Sequence, residues 1–219
     1  MNRIVPVVSF ENAAKQSTIY WIIIGLIWLS GFVYLLIYGT YDSFLQLTQI
    51  HTPSLDAFFS KFTHVGDGLF AIGVAVIFFL FRFRRFAVNI VFSFLVSGLF
   101  AQIGKNLMPH PRPSRYFQDV VGTPIHTLEV TNWGNNTFPS GHSATAFALL
   151  TVILLFFPKS KWNIVWILLA FLVGYSRIYV ASHFLDDVLA GALIGVFSAM
   201  ICYIISNHLF YKKINFFHR

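Results

Sequence analysis

"SRIYVASHFLDDVLAGALIGVFSAMICYIIS", Ser176 to Ser206, opens with an arginine, a histidine and two aspartates, then runs from Val188 to Ser206 without a charge. About 20 mostly apolar residues are what an α-helix needs to cross the hydrocarbon of a bilayer. The second part therefore reads as a membrane span, and the first part lies at its end. Charges placed against hydrocarbon are costly and mark a functional site. One stretch thus sets the fold class and points to where the chemistry sits.

The rest of the chain agrees. Of its 219 residues, 57% are hydrophobic, 18% aromatic and only 11% charged, whereas soluble domains carry roughly a quarter charged. The expected fold is all-α, an integral membrane protein with six transmembrane helices in a single domain, residues 1–219. The other five spans fall at Ile19–Tyr38, Gly68–Phe81, Phe86–Gly104, Ser143–Phe157 and Trp162–Ser176. Gly68–Phe81 is the shortest, and it lengthens if Arg82 snorkels to the interface. Ser54–His64 has the mixed pattern of a short helix lying on the outer interface. The first span lacks a small-residue cleavage site, so it is expected to stay attached. The single cysteine, Cys202, excludes a disulfide framework and a cysteine-based metal site. A net charge of +7 raises nucleic acid as a partner, but the basic residues form no compact patch, so none is expected.

Orientation follows from those basic residues. Arg3, Lys15, Arg82, Arg84, Arg85, Lys159, Lys161, Lys212, Lys213 and Arg219 fall on one side of a six-span chain, opposed there only by Glu11. Positive loops stay cytoplasmic. Both termini are expected in the cytoplasm, with the long loops outward and the tail "YKKINFFHR" gripping anionic lipid.

Three clusters then share the outer face, each bordering a helix end: "KNLMPHPRP" (Lys105–Pro113), "PSGH" (Pro139–His142) and the opening of the Ser176 stretch. Guanidinium forks match phosphate oxygens bidentately, and a lysine adds a point charge. Lys105, Arg112 and Arg177 supply both. Ser140, Gly141 and His142 stand at a helix start, where free backbone N–H groups favour an anion. Ser140 is a cap, a ligand or both, and Gly141 permits close approach of a ligand to the backbone. His183 and Asp187 are four apart and share a helix face. A carboxylate there can hold one ring nitrogen protonated and leave the other to attack. His142 can protonate a leaving oxygen.

Together, K-x6-R-P, P-S-G-H and S-R-x5-H-x3-D resemble the tripartite signature of the type 2 phosphatidic acid phosphatase (PAP2) superfamily, in its membrane-bound bacterial lipid phosphatase branch. The core of the resemblance runs over residues 67–206; residues 1–66, with the first span and outer loop, fit more loosely. The resemblance implies a phosphatase without metal or other cofactor. In it His183 is the nucleophile forming a phosphohistidine, Asp187 orients it, and His142 is the general acid. Lys105, Arg112, Ser140, Gly141 and Arg177 hold the phosphate. The implied substrate is a membrane lipid phosphate: undecaprenyl pyrophosphate, phosphatidylglycerophosphate, phosphatidic acid or lipid A phosphate. The implied location is a bacterial inner membrane, with the site facing the periplasm or exterior. A phosphotransferase passing the group to an acceptor lipid would use the same site. A transporter with an outer anion site is a third reading, and it should show charged or broken helices near the midplane.

Other residues carry weaker expectations. His51, His64, His110 and His126 lie in outer loops and match no zinc spacing, so none is expected as a metal ligand. His110 falls within the first motif and is a candidate substrate contact, as are Arg115 and Tyr116. Only the x3 spacing selects Asp187 over Asp186, which is expected to face solvent or a headgroup. Asn135-Asn136-Thr137 fits a glycosylation sequon beside the catalytic loop.

Overall fold

The computed structural model describes residues 8–128 and 136–217, with side chains to residue 209. Nine α-helices follow one another among them. They are α1 (Phe10–Gln16), α2 (Thr18–Leu47), α3 (Pro53–Phe62), α4 (Gly68–Leu80), α5 (Arg84–Leu107), α6 (Pro113–Tyr116), α7 (Gly141–Phe156), α8 (Asn163–Tyr179) and α9 (Leu185–Phe217). A 3-10 turn, Thr63–Gly66, joins α3 to α4, and a π-turn, Phe117–Val121, follows α6. No strand occurs among the described residues.

The helix at the centre is α7. Every residue from Ser143 to Phe156 is buried, and a helix apolar on all sides must be enclosed by others. Its main partner is α9. There Gly191, Gly195 and Ala199 recur every fourth residue and so share one face. A Cβ on Gly195 would run into Ala144 O and come within 2.8 Å of Ala148 N and 3.0 Å of Phe147 Cβ. A Cβ on Gly191 would run into Ser140 O. Small residues at this spacing let helix backbones meet within lipid, where no water drives association. This contact also places the start of α7, with His142, beside the start of α9, with Asp187. A hydrogen bond from Ser140 N to Asp187 O (3.0 Å) closes that junction.

Polar side chains join the helices where hydrophobicity cannot. Ser206 donates to Asn89 Oδ1 (3.1 Å) across α5 and α9. Trp28 Nε1 donates to Leu189 O (3.0 Å), and Tyr203 OH donates to Val8 O (2.9 Å). Asn89, the conspicuous polar residue of the third predicted span, is thereby an interhelical tie. The outward faces of α2, α4 and α5 leave Leu26, Leu36, Leu69, Leu80 and Leu99 exposed, the apolar belt of a chain surrounded by lipid.

Each predicted span coincides with a helix. Among the described residues, three helical stretches are long and apolar enough to cross a membrane: α2, α5 and Leu185–Leu209 of α9. A fourth crossing exists if Pro53–Gly66 and Gly68–Leu80, bent by 59°, count as one; α7 and α8 are apolar but shorter. The protein is a multi-pass, all-helical membrane protein. The stretch Ser54–His64 forms a helix, α3, with its 3-10 turn. The expected loop beginning at Gly39 departs from the sequence reading, because α2 turns through Gly39 (φ 72°) and continues to Leu47. The cause is tertiary: Tyr41 stacks on Tyr116 at 3.9 Å between ring centroids, and Phe44 meets Phe184 edge-on at 5.5 Å.

Candidate active site

The turn between α8 and α9 carries His183, 2% exposed, and Asp187, fully buried. Asp187 Oδ2 accepts the Phe184 backbone N–H at 2.9 Å, which caps the start of α9 from within. His183 Nδ1 lies 3.3 Å from the same oxygen. Between them sits the hydroxyl of Thr137, 2.8 Å from Nδ1 and 2.7 Å from Asp187 Oδ2. A hydroxyl that donates to the carboxylate accepts from Nδ1–H, so the network favours the tautomer with the lone pair on Nε2. Thr137 is fully buried. Asn135, the residue that the sequon would modify, lies outside the described residues.

The cations converge on this turn. Arg112 Nη1 donates to Ser182 O (3.3 Å). Arg177, 4% exposed, donates through Nη1 to Thr63 Oγ1 (2.6 Å), while its own carbonyl accepts the backbone N–H groups of Ser182 and His183, each at 3.1 Å. Lys105, in the last turn of α5, lies near enough to Arg112, Arg177 and Asp187 to feel all three charges. Like charges gathered beside a single carboxylate repel one another until an anion arrives.

At the start of α7, Ser140 caps the helix: its oxygen accepts from Ser143 N at 3.3 Å and from Ser143 Oγ at 3.0 Å. A Cβ at Gly141 would enter open space, so the helix start faces a void. His142 Nε2 lies 2.6 Å from Asp67 Oδ1, and the other oxygen of Asp67 is 2.8 Å from His64 Nδ1. His142, Asp67, Gly141 and Lys105 line a cavity of about 180 Å³ whose opposite wall is Phe94, Gly98 and Ala101 of α5.

All eight predicted site residues therefore belong to one convergent region on helix ends. Three partners escaped the sequence reading. Thr137 stands in the sequon, Thr63 within the stretch read as an interfacial helix, and Asp67 at the boundary of a span. None carries a motif, because each acts through a neighbour remote in sequence. Several flanking residues are structural. Tyr116 is the stacking partner of Tyr41, and half-exposed Arg115 pairs with Asp119 at 3.0 Å. His110 packs its ring edge-on to Phe184 and pairs through its backbone with Asn136. Asp186 is half-buried rather than facing solvent or a headgroup, because the continued α2 brings Thr40 Oγ1 to 3.5 Å from its carboxylate.

A second cluster lies apart from the phosphate-site motifs. His51 and His126, both expected in outer loops, reach Asp56 at 3.0 Å and 3.1 Å. Asp56 also accepts from Tyr179 OH at 2.6 Å. The hydrogen bond from Tyr179, then that from His51, holds the Asp56 carboxyl below the usual carboxylate range.

Chemically, the main site holds two imidazoles, each beside a carboxylate, with Arg112 and Arg177 bonded about the His183 turn and Lys105 lining the adjoining cavity with His142. That set can bind a tetrahedral oxyanion and move its phosphorus to nitrogen. Known phosphatases resemble the chain. The PAP2 superfamily model matches residues 86–211. Undecaprenyl-diphosphatase of Sulfolobus acidocaldarius is 33% identical over 114 residues, 52% of each chain. Lipid A 4'-phosphatase of Bacteroides thetaiotaomicron is 29% identical over 173 residues, 75% of this chain and 76% of that one. The crystal structure of Aquifex aeolicus LpxE superposes with a TM-score of 0.63 at 32% identity, covering 76% of this chain and 93% of that one. The chain spans about half the length of several curated relatives, the undecaprenyl-diphosphatase among them.

Proposed function

The chain belongs to the PAP2 superfamily, and on that premise we propose that it is a lipid phosphatase acting at the outer face of a bacterial inner membrane through a metal-free phosphohistidine mechanism. One observation carries this reading. Arg112 and Arg177 are bonded about the turn that holds His183 and Asp187, while Lys105 and His142 line an adjoining cavity walled by residues of α5. A lipid held by its tail would present its phosphate at that height, so tail burial supplies binding energy while the cations fix the reacting group. The relatives named for undecaprenyl diphosphate and for lipid A both act on phosphate carried by a membrane lipid.

In the proposed sequence Nε2 of His183 attacks phosphorus as the bond to the leaving oxygen breaks. Asp187 and Thr137 stabilise the ring as it gains charge, and His142 protonates the departing oxygen. Water then attacks the phosphohistidine and releases phosphate. The same proposal includes six crossings in a single domain. Both termini are cytoplasmic, on the side of Arg82, Arg84, Arg85, Lys159 and Lys161.

The direct test measures phosphate release by tag-free protein in nanodiscs, with undecaprenyl pyrophosphate, phosphatidylglycerophosphate, phosphatidic acid and lipid A, in excess EDTA. Release from at least one lipid at an undiminished rate is expected. Activity abolished by chelation and restored by a divalent metal would overturn the metal-free step.

Asp67 enters this proposal as a positioning residue. The Asp67 carboxylate, 2.6 Å from His142 Nε2, fixes the orientation of the ring. Asp67→Asn is expected to slow turnover of a lipid phosphate by about 10- to 100-fold, the range of general-acid assistance. An aryl phosphate whose phenolate leaves without help should lose far less. Equal losses on both substrates would assign Asp67 a merely structural part.

A further inference from the structure

We propose that His51, Asp56 and His126 form a binding site for one divalent transition-metal cation of the zinc type, separate from the phosphate site. The three donors come from separate segments: the α2–α3 connection, α3, and the long loop between the first two phosphate-site motifs. Their ligand atoms all lie within 4.8 Å of one another. Donors around a tetrahedral zinc, at bonds of roughly 2.0–2.2 Å, sit roughly 3.3 Å apart. His126 Nε2 stands 3.1 Å from Asp56 Oδ2, close to that, and His51 Nδ1 stands 3.0 Å from the carboxylate's other oxygen, so one imidazole flanks each side of the carboxylate.

Donor chemistry selects the ion. Two imidazoles and one carboxylate suit zinc and its neighbours, whereas calcium and magnesium require mostly oxygen. A fourth position remains for water. Ligating carboxylates are characteristically held by an outer hydrogen bond, and Tyr179 OH supplies one to Oδ1 at 2.6 Å, leaving Oδ2 directed at His126. His51 and Asp56 are largely covered while His126 is half exposed, which gives the ion a route in.

Bound metal would staple the motif-bridging loop to α3 and, through Tyr179, to the end of α8. The same two elements brace the phosphate clamp, because α3 leads into Thr63, the partner of Arg177. The cation is therefore a fastening of the rim and takes no part in phosphoryl transfer.

The test titrates zinc into tag-free, metal-stripped protein in nanodiscs, reading bound metal by equilibrium dialysis and stability by thermal melting. One zinc per chain and a rise of several degrees in the melting midpoint are expected. His126→Ala and Asp56→Asn should each weaken binding by at least 100-fold. Tyr179→Phe should weaken it by about 10- to 100-fold, as loss of an outer hydrogen bond does. His64→Ala, and His183→Ala lacking the proposed nucleophile, should bind zinc as the wild type does, which separates this site from the phosphatase reading. Melting of each variant in EDTA establishes that it is folded. No stoichiometric zinc on the wild type, or undiminished binding by folded His126→Ala, would leave only a hydrogen-bonded His–Asp–His triad and overturn the proposal.

Discussion

His183→Ala is expected to lose phosphate release by about 10⁴-fold or more, because removal of a covalent nucleophile leaves only what binding and electrostatics provide. The geometry behind the expectation is specific. Nδ1 is engaged by Thr137 and Asp187, so the proposed attack falls to Nε2. Alanine removes that nitrogen, while Lys105, Arg112 and Arg177 still gather anions. Lipid affinity should therefore survive when turnover does not. Brief exposure of the wild type to labelled substrate, followed by an alkaline quench, should trap label on protein in an acid-labile form. His183→Ala should trap none. A variant within tenfold of wild-type turnover would remove His183 from the nucleophile's role, and the proposed reaction with it.

Gly195→Val is the second large effect, and it acts on the fold. The side chain would meet the backbone of α7 at Ala144 and Ala148, atoms that cannot rotate away as the tip of a flexible side chain can. Overpacking a tight contact costs about 1–3 kcal/mol and sometimes more; valine at a backbone-to-backbone crossing is expected at or above the upper end. The two helices would have to part, and with them His142 and Asp187, which the same crossing holds together through Ser140 N and Asp187 O. A large fall in melting midpoint and little folded protein are expected. Gly25→Val serves as the control, since a Cβ there meets nothing within 4 Å. Equal melting of the two variants would show that the crossing tolerates separation.

Legibility in the sequence was uneven, for physical reasons. The spans were readable because hydrocarbon imposes length and composition on any helix that crosses it. His183 and Asp187 were readable as a pair because both lie within one helical turn. Asp67 was not, since its partner His142 lies far along the chain and a carboxylate at a span boundary looks like any other. Thr137 was obscured in the same way by its neighbours Asn135 and Asn136. The spacing rule that dismissed His51 and His126 applies to ligands on one local segment, and here three segments meet. The Gly191–Gly195–Ala199 face was visible as residue types, but which helix it admits is a matter of contact.

By itself the sequence determined that the chain is a helical membrane protein and which motif residues cluster at helix ends, because lipid solvation and helix periodicity act on neighbouring residues. Tertiary structure alone decided which carboxylate braces which histidine, where α2 ends, and that a second His–Asp–His cluster exists. Those outcomes depend on distances between segments remote along the chain, set by how closely α7 and α9 pack.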